Sequence, residues 1–157
     1  MKRFTFSYFN LGIFLLFIFH CTFSFAQSTS FSSQKIISTN ADSAQSVYAA
    51  DMDNDGDVDV LSASYTDDKI AYYVNDGSGL FGTQNTIASN VDGAHSVFVA
   101  DLDGDGDQDV LSASTENDKI TWFENLGGGV FSAENIIENI GLGPYQAIAA
   151  DLDGEGD

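Results

Sequence analysis

Carboxylates stand at every second position in three stretches of the chain: DMDNDGDVD from Asp51 to Asp59, DLDGDGDQD from Asp101 to Asp109, and DLDGEGD from Asp151 to Asp157. Side chains on consecutive residues of such a loop point apart, whereas those at positions 1, 3, 5 and 9 can converge on one hard cation. A backbone carbonyl from position 7 joins them if a residue without a Cβ makes the sharp turn at position 6. Gly56, Gly106 and Gly156 hold that sixth position. The first loop then offers Asp51, Asp53, Asp55, the carbonyl of Asp57, and Asp59. The second offers Asp101, Asp103, Asp105, the carbonyl of Asp107, and Asp109. The third supplies Asp151, Asp153, Glu155 and Asp157, with Glu in place of Asp at the fifth position and no ninth residue in the sequence. Five Asp within nine positions repel one another, so an acidic solvated turn is the poorer reading and a cation that cancels the repulsion the better one. Many carboxylates and a carbonyl on a flexible loop suit Ca2+, whereas Mg2+ demands near-ideal octahedral geometry and retains its waters.

The elements that must position these loops follow from a strict internal period. Asp51, Asp101 and Asp151 are spaced by 50 residues, and Phe31, Phe81, Phe131 and Ile37, Ile87, Ile137 keep the same register. Residues 34–83 and 84–133 share 26 of 50 positions without an insertion, which identifies a repeat architecture. Each unit reads as four short strands. SVYAA (46–50) leads into the first loop and VDVLSAS (58–64) leaves it. KIAYYV (69–74) follows the turn Thr66-Asp67-Asp68, and the fourth strand runs over 81–87 after the Gly-rich turn 75–79. The second copy gives SVFVA, QDVLSAS, KITWFE and FSAENII. Short β-branched and aromatic runs between Gly, Asn and Asp turns predict antiparallel hairpins, and no stretch sustains a helical period. The fold class expected is all-β, with four antiparallel strands in about 50 residues forming one β-propeller blade. About two full blades (repeats 46–88 and 96–138) are accompanied by fragments, a lone fourth strand over 31–38 and a truncated repeat over 146–157. Ile70 and Tyr72, with their counterparts Ile120 and Trp122, fall on one face and are expected to pack between blades; Tyr73 and Phe123 fall on the other.

Those motifs resemble the FG-GAP-like repeat, also called the VCBS repeat, of integrin α-subunit-type propellers and many exported bacterial proteins. The resemblance rests on ADLDGDGDQDVL (100–111), KITWFEN (119–125) and GGGVF (127–131), with ADMDNDGDVDVL, KIAYYVN and GSGLF in the first copy. It implies a calcium-bearing loop between the first two strands of each blade. An EF-hand or dockerin loop is excluded, because its twelfth position is acidic and a helix follows, whereas Ser62 and Ser112 stand there within β-rich runs. Thrombospondin-like calcium repeats depend on many disulfides, which this chain lacks.

At the N-terminus, Lys2 and Arg3 precede the apolar run 11–19, and Ser24-Phe25-Ala26 places small residues where a signal peptidase inspects. Residues 1–26 read as a secretory signal cleaved after Ala26. The apolar run is shorter than the ~20 residues of a bilayer span, and no membrane insertion is expected after cleavage. His20 before Cys21 speaks against a lipoprotein signal. Cleavage removes the only cysteine and leaves Lys35, Lys69 and Lys119 against 24 carboxylates, a formal charge of −21. Nucleic acid and anionic membrane surfaces are thereby disfavoured as partners. Bound Ca2+ is the available staple for an exported chain without disulfides.

No Gly-x-Ser-x-Gly, His-Glu-x-x-His or phosphate-cradling loop opening a helix occurs, and the loop carboxylates would be engaged by Ca2+. His95 takes the slot of Gln45 and Tyr145 in the other repeats and reads as an exposed loop residue, with a ligand-facing role as the alternative. The expected function is that of an exported, noncatalytic calcium-binding propeller segment, secreted or at the cell surface, acting in adhesion or binding of an extracellular protein or glycan. The alternative is the accessory or scaffold portion of a larger exported enzyme, for example a carbohydrate-active one. Further repeats of the same chain are expected downstream.

Overall fold

The computed structural model describes residues 33–139 and 141–151. Its contacts divide the chain into a unit Met1–Gln34 and a unit Lys35–Asp157, and the second carries all that follows. The signal reading over 1–26 lies outside the described residues, as do Phe31, Asp153, Glu155 and Asp157.

The described residues are all-β and hold two four-stranded antiparallel sheets and no helix. The first sheet contains β1 (Ala44–Ala50), β2 (Asp59–Ser64), β3 (Lys69–Tyr73) and β4 (Asn85–Ala88). The second contains β5 (Ala94–Ala100), β6 (Asp109–Ser114), β7 (Lys119–Phe123) and β8 (Asn135–Asn139). Both run in sequence order, β1-β2-β3-β4 and β5-β6-β7-β8, the meander of a propeller blade; the two blades do not close a ring. Even the irregularities repeat. The register slips between Ala44 and Ser46 and again between Ala94 and Ser96, and between Ile70 and Ala71 and again between Ile120 and Thr121.

The core lies between the blades. Met52, Leu61, Ile70 and Tyr72 of the first blade pack with Val97, Val99, Val110 and Phe123 of the second. Tyr72 donates its hydroxyl to the Gly129 carbonyl at 3.0 Å and meets Phe131 edge-on at 5.9 Å between centroids. Gly129, at φ +73°, lies so close that a Cβ there would collide with the Tyr72 hydroxyl. Ile120 belongs to a second cluster, with Leu111, Ala113 and Ala147, on the other side of the second blade. At the opposite end from the acidic loops, Asp68 and Asp118 adopt left-handed φ angles of 56° and 60°. Their Oδ1 atoms accept from Gly93 N at 2.9 Å and Gly143 N at 2.7 Å, so the same tie to the following repeat occurs twice.

Three boundaries differ from the sequence reading. Phe81 and Phe131 make isolated bridges to Asn75 and Asn125, and the fourth strands begin only at Asn85 and Asn135. The tight turn 75–79 closes on Phe81, and the chain leaves the ladder before pairing again. Residues 33–38 form no strand, with Ile36 68% exposed, because a fourth strand needs a third to pair with and the described residues before β1 contain none. Residues 144–151 likewise form no strand, although Ala147 N reaches the Ser96 hydroxyl at 3.4 Å.

Candidate metal centre

The first two acidic loops each join the first strand of a blade to the second, β1 to β2 and β5 to β6. Position 1 folds the loop over itself. Asp51 accepts from Asp55 N at 3.2 Å and Gly56 N at 2.9 Å, and Asp101 from Gly104 N at 2.8 Å and Gly106 N at 3.0 Å. The turn at position 6 requires φ +93° at Gly56 and +96° at Gly106. Position 9 opens β2 and β6 and is fully buried. Asp59 Oδ2 accepts from Met52 N at 3.0 Å and its Oδ1 from Asn75 N at 2.8 Å, while Asp109 takes Leu102 N and Asn125 N at 3.0 and 2.8 Å. These carboxylates tie the loop to the end of the third strand, a structural duty independent of any ion.

The outcome is convergence. Ligand atoms of Asp51, Asp53 and Asp59 lie within 4.8 Å of one another, and so do those of Asp101, Asp103 and Asp109. Like charges at that separation cost about 1 to 3 kcal/mol per pair between the dielectric of water and that of a protein surface. Burial first, then the charges of Asp55, Asp59 and Asp51, push the Asp53 carboxyl above its ordinary range. Burial also raises Asp109, opposed by the backbone N–H groups of Asn125 and Leu102. Asp53 Oδ1 is buried and has no hydrogen-bond partner. A hard cation is what an all-oxygen donor set with an orphaned carboxylate oxygen accommodates, so the residues fit Ca2+.

The fifth positions stand apart from these trios. Asp55 and Asp105 each accept the N–H two residues on, at 2.9 and 2.8 Å, and are exposed. The position-7 side chain of the second loop, Asp107, receives Asn54 Nδ2 from the first loop. Asp151 is exposed, and the remaining proposed ligands of the third loop are outside the described residues.

Residues 51–112 and again 101–157 match the model of the FG-GAP-like repeat, each match starting at the first carboxylate of a loop. The chain belongs to the FG-GAP-like repeat family. No curated protein matches it. Both matches run from one acidic loop through the next and overlap at 101–112.

Two features of the site go beyond the FG-GAP-like sequence pattern. Asn75 and Asn125 sit directly behind the loops, their side chains donating to Val58 O and Gln108 O at 3.1 Å each, and Asn125 also to Met52 O at 2.9 Å. Their identity in both copies, 50 residues apart, is the signal that marks them. His95 lies within β5 and is half-buried, not an exposed loop residue. Its Nδ1 stands 2.8 Å from the Tyr145 carbonyl and its ring meets Tyr145 edge-on at 4.8 Å. With Gln45 and Tyr145 it lines an open groove of about 550 Å³ along β1, β5 and residues 145–148.

Proposed function

We propose that this chain is an exported, calcium-binding segment of a β-propeller, noncatalytic and acting outside the cell in adhesion or in binding a protein or glycan. The observation that carries the calcium reading is the twofold convergence of carboxylates at positions 1, 3 and 9, with Asp53 Oδ1 buried and unpartnered. Asp51, Asp53 and Asp59 would hold one ion, with Asp55 and the Asp57 carbonyl completing the donor set. Asp101, Asp103 and Asp109 would hold the second, with Asp105 and the Asp107 carbonyl. A bound ion would neutralise the repulsion within each trio and fasten the first strand of the blade to the second. Export is supported by Lys2, Arg3, the apolar run 11–19 and the small residues before position 27, and the charge balance disfavours nucleic acid as the partner.

Calcium stoichiometry by isothermal titration tests the reading. The chain is expected to take up one equivalent in each of the first two loops, and Asp53→Asn and Asp103→Asn each to remove one. Absence of calcium uptake at millimolar concentration would dismiss it.

A further inference from the structure

The first acidic loop is held from outside its own repeat. Asn125, 1% exposed and two residues past the end of β7, uses its backbone N–H on Asp109 Oδ1 at 2.8 Å. Its Nδ2 donates to Gln108 O in its own loop at 3.1 Å and to Met52 O in the loop of the preceding blade at 2.9 Å. Met52 lies between Asp51 and Asp53, is 0% exposed, and gives its own N–H to Asp59 Oδ2 at 3.0 Å. The residue between two proposed ligands is therefore clamped at its N–H by a third ligand and at its carbonyl by the neighbouring blade. One continuous chain of contacts runs from Asp59 through Met52 and Asn125 to Asp109. Beside it, Asn54, at φ 62°, donates to Asp107 in the second loop.

The second loop has no such clamp among the described residues. Leu102 N donates to Asp109 Oδ2 at 3.0 Å, but Leu102 is only half-buried and no asparagine side chain reaches its carbonyl. Gly104 stands where Asn54 stands in the first loop. Asn75, the counterpart of Asn125, makes the two bonds to its own loop and none to another repeat.

We infer that Asn125 is a positioning residue for the first cation loop and couples the two loops, with the Asn54 to Asp107 contact as a parallel surface link. The inference rests on the calcium reading above. Groups that orient ligands typically change metal affinity by about 10- to 100-fold when removed, and energetic coupling between two sites is reciprocal. Each loop thus senses occupancy of the other.

Titration of the full chain with CaCl2 alone, in variants that leave one loop intact, tests this. In Asp103→Asn only the first loop remains, and in Asp53→Asn only the second. Asn125→Ala, although in the second repeat, should weaken the first loop about tenfold in the Asp103→Asn background. Asn75→Ala should leave the second loop unchanged in the Asp53→Asn background. A loss that is merely structural would make both asparagines act on both loops, and that result overturns the inference, as does an unchanged first-loop affinity in Asn125→Ala. Failure of both loops to bind calcium in the parent chain would instead overturn the calcium reading. Should Asn125→Ala not fold, Asn54→Gly keeps the coupling testable, since its left-handed φ suits Gly. The ratio of the two stepwise binding constants should change at least about twofold in that variant, and an unchanged ratio overturns the coupling.

Discussion

Within one acidic loop, carboxylates of the same type carry opposite energetic signs. Asp59 has both oxygens on backbone N–H groups that its loss would leave unpaired, whereas Asp53 has a buried oxygen without a donor and three like charges around it. In EDTA, Asp59→Asn should therefore lower stability by about 1.5 to 3 kcal/mol, the usual worth of hydrogen bonds to a charged group, while Asp53→Asn should raise the melting temperature. Chemical denaturation of both variants without metal checks this pair of signs, and a fall in both would contradict it. The pH dependence follows the same logic. For Asp53 and Asp109 the folded pKa lies above the unfolded value, so these groups favour the fold in their protonated form. Their contribution is complete below the ordinary carboxylate pKa and is lost as pH rises through the raised values. Without metal, their share of stability should grow as pH falls from neutrality toward the carboxylate range. With saturating calcium the trend should reverse, because protons compete with the ion. Melting temperatures across pH in EDTA and in calcium read both slopes.

At the scale of elements, much was legible in the sequence and the reason is physical. A 50-residue period with 26 shared positions, alternating apolar strands and Gly turns left little freedom in assigning four strands to each blade. The carboxylates at positions 1, 3 and 9 were legible because loop geometry is local. What escaped was non-local. Asn125 reaches Met52 across 73 residues and Asp68 reaches Gly93 across 25; the 50-residue period marks such residues as repeated but does not say which partner each one meets. The fourth strands begin later than the sequence suggests because Phe81 and Phe131 look like strand residues yet make single bridges. His95 reads as a loop residue in the sequence because β5 begins two residues before its run SVFVA. Gly129 shows how a turn can serve the neighbouring blade. Gly79 and Gly129 share a left-handed conformation, φ +80° and +73°, but only Gly129 faces Tyr72, while Gly79 has open space. Both Ala variants should lose stability through backbone strain of about 1 kcal/mol or more. Gly129→Ala should lose distinctly more, and equal melting temperatures would deny Tyr72 its place at the blade interface.

Across the whole molecule, stability depends on burying one blade against the other. Val97 is 4% exposed in the interface, whereas its counterpart Val47 is 67% exposed on the other side of the first blade. Val97→Asp should unfold or strongly destabilise the chain, by several kcal/mol, at roughly the cost of burying an unpaired charge. Val47→Asp should be tolerated, and circular dichroism melting separates the two. The acidic loops cap the same interface, since Met52 is both a loop residue and a core residue with no exposure. A cation that orders the loop should accordingly stabilise the packed blades and not the loop alone. Differential scanning calorimetry of the chain in calcium and in EDTA measures that most directly. Binding confined to the folded form adds RT ln(1 + [L]/Kd), about 2.7 kcal/mol for each loop at a hundredfold excess over Kd. The melting transition should therefore move up clearly with calcium, and less in Asp53→Asn or Asp103→Asn. Superimposable transitions in calcium and EDTA would contradict calcium as the ion these loops are built to hold.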